Sequence, residues 1–258
     1  MAGTDLRLER EGAVATLVLA RPERQNAINQ AMWRALGSHC AELRHDPSVR
    51  VVLVRGEGGV FSAGADIAEF DQVFADRSTA QAYNELVQGA LAQLESLPQP
   101  TIAAIAGNCI GGGCAVAAAC DLRFAAADAR LGITPARLGL AYAVGDVRRL
   151  VALTGPARAK DLLFSARLVD AGEALRIGLV DRVVAPDDLA SEAAGYVRSL
   201  CALSGNSQRS IKAIMRLLEQ GQREENEASR DLRDLAVEHP DFSEGRSAFL
   251  AKRKPRFA

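Results

Sequence analysis

Long apolar runs are missing from this 258-residue chain. No stretch approaches the roughly 20 apolar residues that a membrane-crossing helix needs, so a membrane protein is not expected. Excess charge is missing too. The formal net charge is −1, and because binding to a phosphate backbone needs a clustered positive surface, nucleic acid is not expected as a partner and any basic patch must be local. Only three histidines are present, His39, His45 and His239, and they do not fall at a metal-ligand spacing. The five cysteines, Cys40, Cys109, Cys114, Cys120 and Cys201, form no CxxC pair and sit mostly among apolar neighbours. Both facts argue against zinc and for buried, reduced, unreactive thiols. The opening MAGTDLRLEREGAV lacks a basic segment followed by an apolar one, so no secretory signal and a cytoplasmic location are expected.

What is present is an ordinary globular composition, 48% hydrophobic and 24% charged, in a chain long enough to bury a large core. Leu6 to Glu9 and Val14 to Leu19 read as a hairpin around Glu11-Gly12. Met32, Leu36, Cys40 and Leu43 recur at helical spacing within Gln30 to Leu43, and Val51 to Arg55 is a compact apolar strand. A helix over Thr79 to Leu97 ends at Pro98-Gln99-Pro100, and a buried strand resumes over Thr101 to Ala106. Leu122 to Ala125 reads as a strand and Val144 to Leu153 as a short helix. After Gly155 the pattern is mostly helical, over Ala157 to Phe164, Asp170 to Ile177, Asp187 to Ala202, Ser207 to Glu219 and Glu224 to Ala236, with a strand at Val180 to Val184. The expectation is an α/β core over residues 1–200 and a helical C-terminal region over residues 201–258.

Two small-residue loops interrupt this pattern. Phe61-Ser62-Ala63-Gly64-Ala65-Asp66-Ile67 follows one buried strand, and Gly107-Asn108-Cys109-Ile110-Gly111-Gly112-Gly113-Cys114 follows another. Small residues let a ligand approach the backbone, and each loop is expected to open a helix, whose first amides lack intrahelical partners and attract anionic oxygen. Either loop alone is an ordinary turn signal; the pair, each after a buried strand, is more specific.

In order and spacing, VLVRGEGGVFSAGADI, IAAIAGNCIGGGCAVAAACDLRFA and the closing FLAKRKPRF resemble the enoyl-CoA hydratase/isomerase (crotonase) family, from Val14 nearly to the C-terminus. The resemblance implies a repeated ββα spiral core with a helical trimerisation region, trimers or dimers of trimers, and an acyl-CoA substrate with no tightly bound cofactor. It implies that the N–H groups of Ala65 and Gly112 hold the thioester carbonyl as enolate charge grows on its oxygen; one such donor is worth about 3–4 kcal/mol. It places Arg24 and Ala27 along the pantetheine and nucleotide path and Ala63 and Ile67 at the adenine end. Phe249 and Lys252 reach the coenzyme A phosphates, from the same or a neighbouring subunit, or else serve as a core contact and a solvated charge. Asp66 lies on the same path, with its carboxylate as a helix cap and not a catalyst.

The sequence departs from the family at two points. Hydratases of the family carry two glutamates as acid and base; here the first position is Ala115 and the second falls on Thr134-Pro135. Water addition needs groups that take and give protons, and neither alanine nor proline does so. Loss of carbon dioxide from a malonyl-type thioester reaches the same enolate without a base. TPARLGLAYAVG is similar to the corresponding stretch of methylmalonyl-CoA decarboxylases, in which a tyrosine faces the departing carboxylate; its match is Tyr142. Tyr142 therefore reads either as that group or as a packed tyrosine with a satisfied hydroxyl. Asp146 reads as a helix N-cap ahead of VRRLVALTG in preference to a surviving acyl-pocket carboxylate. The expected function is decarboxylation of a short acyl-CoA, the alternatives being hydration or isomerisation in fatty acid metabolism through another carboxylate, and acyl-CoA binding without catalysis.

Overall fold

Gly12 turns the chain at φ +55° and joins β1 (Leu6–Glu11) to β2 (Val14–Leu19) in the antiparallel hairpin expected from the sequence. The computed structural model describes residues 5–257. α1 (Gln30–Arg44) starts where the Asn29 side chain accepts the Met32 N–H at 2.8 Å, the usual role of Asn at an N-cap. Its inward stripe is Met32, Trp33, Leu36, Cys40 and Leu43, three or four residues apart, so one helix face is buried. β3 (Val51–Gly56), α2 (Phe70–Val73) and α3 (Arg77–Glu95) follow, α3 opening with a capping box between Asp76 and Thr79.

The chain continues through β4 (Thr101–Ile105), β5 (Asn108–Ile110), α4 (Gly112–Ala118), β6 (Leu122–Ala126), β7 (Arg130–Gly132), α5 (Val144–Thr154) and α6 (Pro156–Ser165). Then come β8 (Leu168–Asp170), α7 (Ala171–Arg176), β9 (Arg182–Val184) and α8 (Leu189–Cys201). Six strands form one sheet in the order β1-β2-β3-β4-β6-β9, parallel from β2 onward. Parallel strands are covered on both faces, which explains the almost uninterrupted apolar runs Val51–Val54 and Ile102–Ile105. One face carries the main core with α1, α3 and α4. On the other, Leu189, Ala193 and Val197 of α8 lie over Val51, Ile102, Ala104 and Phe124.

β5, β7 and β8 form a second, three-stranded sheet. None of the three stands out in the sequence, because a strand of three residues is shorter than any period it could display. Past Cys201 every regular element among the described residues is a helix: α9 (Gly205–Glu219), α10 (Glu227–Asp234) and α11 (Pro240–Leu250). α10 is shorter than the expected Glu224 to Ala236, since Asn226 caps it with a Ser229 capping box and a 3₁₀ turn ends it. The chain thus has the α/β architecture expected from the sequence.

Candidate active site

The first loop is held by two isolated bridges, Ala65 with Ile28 ahead of α1 and Ser62 with Cys109 of the second sheet. Ile28 donates its N–H to Gly64 O at 2.7 Å and accepts from Asp66 N at 3.0 Å. Along extended backbone, successive amides point to opposite sides, so the amide between them, that of Ala65, turns away from Ile28. It finds no acceptor among the described residues. The loop does not open a regular helix, as its sequence suggested. It runs into a 3₁₀ turn over Ile67–Glu69 and then the four residues of α2, so strand-like pairing frees the Ala65 amide and no helix terminus is involved.

The second loop does open a helix. Gly111, at φ +52°, passes its N–H to Gly132 O at 2.8 Å and starts α4 at Gly112, whose amide, first in the helix, has no partner among the described residues. The two free amides are neighbours: a Cβ built on Gly112 would stand 3.4 Å from Ala65 N, and one built on Gly64 would stand 3.5 Å from Gly112 N. Asn26 and Ser62 brace this junction from behind. Asn26, fully buried at φ +56°, accepts from Arg21 N and donates to the carbonyls of Glu57 and Val60, while Ser62 Oγ donates to Asn26 O at 2.8 Å and accepts from Gly64 N.

A cleft of about 190 Å³ opens beside the two amides. Trp33, Phe70, Phe74 and Tyr83 form an aromatic wall, with Phe74 edge-on to both Phe70 and Tyr83. Gln88, Thr134, Tyr142 and Asp146 supply polar groups to the same cleft. The Tyr142 hydroxyl is buried and has no hydrogen-bond partner among the described residues, which goes against the satisfied-tyrosine alternative. It sits 3.8 Å from where Gly111 would carry a Cβ. Burial foremost, with smaller contributions from Cys114, Asp146 and Cys109, pushes its pKa well above the ordinary tyrosine value, so it is a neutral donor.

Asp146 is not the helix cap its position suggested. The N-cap of α5 is Ala143, with no side-chain cap, and Asp146 stands in the first turn. Its Oδ2 accepts from Gln88 Nε2 at 2.7 Å and its Oδ1 from Arg149 at 3.4 Å. Burial raises its pKa, with Gln88 and Arg149 pulling it down and Glu95 pushing it up. Asp146 is the one carboxylate that lines the cleft among the described residues.

The residues that the resemblance places on a coenzyme path divide into four groups. Ala63 and Ile67 line the outer cleft, Ile67 being 61% exposed. Arg24 ends an exposed 3₁₀ turn and Ala27 offers its carbonyl to Arg21, both on the segment that holds the first loop but outside the cleft. Asp66 caps the Ile67–Glu69 turn through the Ala68 amide and pairs with Arg21 at 2.8 Å, which holds its carboxyl below the usual range. Phe249, 83% exposed, and Lys252 stand at the far end of α11 and do not reach the cleft of their own chain. No cluster of described residues could hold a metal ion, and no helix among them is long and apolar enough to cross a membrane.

The sequence profile of the family described as enoyl-CoA hydratase/isomerase matches residues 9–258. The chain belongs to the enoyl-CoA hydratase/isomerase family. A Mycobacterium bovis protein named "Probable enoyl-CoA hydratase echA8" is 37% identical over 97% of this chain and 96% of its own length. A Syntrophomonas wolfei protein named crotonyl-CoA hydratase is 33% identical over 100% of this chain and 99% of its own. The solved structure of an enoyl-CoA hydratase/isomerase family protein from Hyphomonas neptunium superposes with a TM-score of 0.95, at 40% identity over 98% of this chain and 97% of that one.

Within this family chain, Ala115 and Pro135, the positions read from the sequence as replacing two glutamates, both line the cleft. Neither position puts a carboxylate into the cavity wall. Asn26, Gln88 and Trp33 were not singled out from the sequence. For Asn26 a signal existed, since Asn after a polar turn is a residue that tolerates left-handed backbone; Gln88, in a polar run of α3, gave none.

Proposed function

We propose that this enzyme acts on a short acyl-CoA thioester by stabilising its enolate between the N–H groups of Ala65 and Gly112, and that the reaction is decarboxylation of a malonyl-type thioester. The observation that carries the proposal is the adjacency of two unpartnered amides to a buried hydroxyl, that of Tyr142, also without a partner. The bond between the α-carbon and the carboxylate breaks, its electron pair passes into the enolate, and carbon dioxide leaves. The enolate oxygen rests on the two amides, where preorganised donors are strongest because water is excluded. Tyr142 donates to the carboxylate and orients it over the cleft. The α-carbon then takes up a proton.

Hydration or isomerisation is the second reading, favoured by the names of the relatives. With Ala115 and Pro135 in place of glutamates, it depends on Asp146. Coenzyme A enters as part of the substrate. Exposed Ile211 and Met215 on α9 and Phe249 and Leu250 on α11 support assembly into a homotrimer or a dimer of trimers, in which Phe249 and Lys252 meet the phosphates held by an adjacent subunit.

Parallel assays with methylmalonyl-CoA and crotonyl-CoA separate the readings. Release of carbon dioxide with little loss of enoyl absorbance is the expected result. Crotonyl-CoA turnover that survives Tyr142→Phe and disappears in Asp146→Asn would refute decarboxylation, and inertness toward both substrates despite coenzyme A binding would point to a non-catalytic binder.

A further inference from the structure

Decarboxylation leaves an enolate that still needs a proton at its α-carbon, and neither alanine at 115 nor proline at 135 supplies one. We infer that Asp146 carries the proton to and from the substrate α-carbon, held in place by Gln88 and governed by the Arg149–Glu95 pair. The inference deepens the proposed function and rests on its enolate.

Three observations support it. Asp146 lines the cleft that also contains Ala65, Gly112 and Tyr142. Gln88, from α3, fixes Oδ2 at 2.7 Å, and Oδ1 is left with only the 3.4 Å contact to Arg149. Arg149 could neutralise the group but is already engaged: its Nε and Nη2 lie 3.1 and 2.9 Å from Glu95, whereas its contact to Asp146 is 3.4 Å. Arg149 is 5% exposed, so it pairs with Glu95 at close range and gives Asp146 only a long, weak contact. Arg148 binds the same Glu95 from the outside at 2.5 Å. The charged and titratable groups around Asp146 are therefore Arg149 on its own helix, Glu95 on α3 and Tyr142 before α5. Burial and Glu95 favour the protonated acid, while Gln88 and Arg149 favour the carboxylate.

The step is balanced: the carboxyl O–H breaks, its proton forms the new C–H bond, the enolate electron pair returns to the carbon, and solvent reprotonates the carboxylate. Run in reverse on a saturated thioester, it exchanges α-hydrogens with solvent and needs no carboxylate on the substrate.

The test follows propionyl-CoA in D₂O by proton NMR, beside carbon dioxide release from methylmalonyl-CoA. The parent protein exchanges α-hydrogens, at a rate that rises with pH as Asp146 ionises. Asp146→Asn lowers exchange by at least about 100-fold, the usual scale of a general acid or base. Its carbon dioxide release falls by no more than about tenfold, since cleavage of the C–C bond needs no base. Gln88→Leu moves the pH profile of exchange upward, and Glu95→Gln, by freeing Arg149, moves it downward, shifts that a purely structural role does not produce. Exchange in Asp146→Asn within about threefold of the parent, or no exchange by the parent, overturns the inference. Exchange that depends on Asp146 without any release of carbon dioxide leaves the proton carrier in place and removes decarboxylation instead.

Discussion

Gly64 stands against the carbonyl of Ile110 so closely that a Cβ on Gly64 would lie 2.9 Å from that oxygen. The residue also holds φ at +106°, a conformation that side chains strongly disfavour. These two constraints set the distance between the loops, and so the distance between the amides of Ala65 and Gly112. Three positions past Ile110 the arrangement repeats, since a Cβ on Gly113 would meet Ser62 Cβ at 2.8 Å.

Gly64→Ala therefore forces the loops apart and withdraws one donor from the thioester oxygen. The expected loss in kcat is about 10²–10³-fold, the cost of one oxyanion donor, with Gly113→Ala weaker but in the same direction. Steady-state kinetics with methylmalonyl-CoA measures it, beside a melting curve to show that the variant folds. A Gly64→Ala enzyme of parental kcat would mean that the amide spacing is irrelevant to turnover.

Asn26 accounts for stability at the same junction. Replacing it with alanine strands the Arg21 amide and the carbonyls of Glu57 and Val60, and a buried group without its partner costs about 1–3 kcal/mol. Alanine at φ +56° adds strain. A loss of about 2–4 kcal/mol in urea unfolding is expected on these magnitudes, and a variant within about 0.5 kcal/mol of the parent, the spread of neutral surface changes, would show that these hydrogen bonds do not stabilise the junction.

Much of this was legible in the sequence, and the parts that were not share a cause. β2, β3, β4 and α1 announce themselves by apolar period, and the loops by their small residues. β5, β7 and β8 do not, because three-residue strands exist only through their neighbours. For the site, the sequence marks Ala65 and Gly112 by motif, but the reason the Ala65 amide is free lies in its pairing with Ile28, a contact between residues far apart in the chain. Asp146 illustrates the opposite error. Its place ahead of a helical run looks like a cap, yet α5 begins two residues earlier, and Gln88, 58 residues upstream, holds the carboxyl at the cleft wall.

Tyr142→Phe removes a hydroxyl that no described residue bonds. Folding loses no hydrogen bond and is relieved of a buried donor, so the melting temperature is expected to hold or rise. Carbon dioxide release is expected to fall by about 10–100-fold as the substrate carboxylate loses its orienting donor; a hydrogen bond to a charged group is worth about 1.5–3 kcal/mol. A variant that melts earlier while turning over normally would return Tyr142 to a packing role.

Asp146 also makes a prediction about stability and pH. Its folded pKa is raised, so the folded state favours the protonated acid. The stability this confers is fully present below the ordinary carboxylate pKa, about 3.9, and is lost as the pH climbs through the raised folded value. At pH 8 the parent carries an ionised, largely buried carboxylate that is only weakly paired with Arg149. Asparagine, neutral throughout and able to keep the Gln88 contact by turning its amide, removes that burden. Asp146→Asn is thus expected to melt above the parent at pH 8, with the difference shrinking toward zero as the pH approaches 4, because the parent residue is then neutral as well. Paired melting curves at the two pH values measure the difference, and other titrating groups cancel between the two proteins. A variant less stable than the parent at pH 8 would mean that Arg149, despite its closer contact with Glu95, holds the Asp146 charge firmly, and the carboxyl would then be a structural ion-pair partner with no proton to deliver.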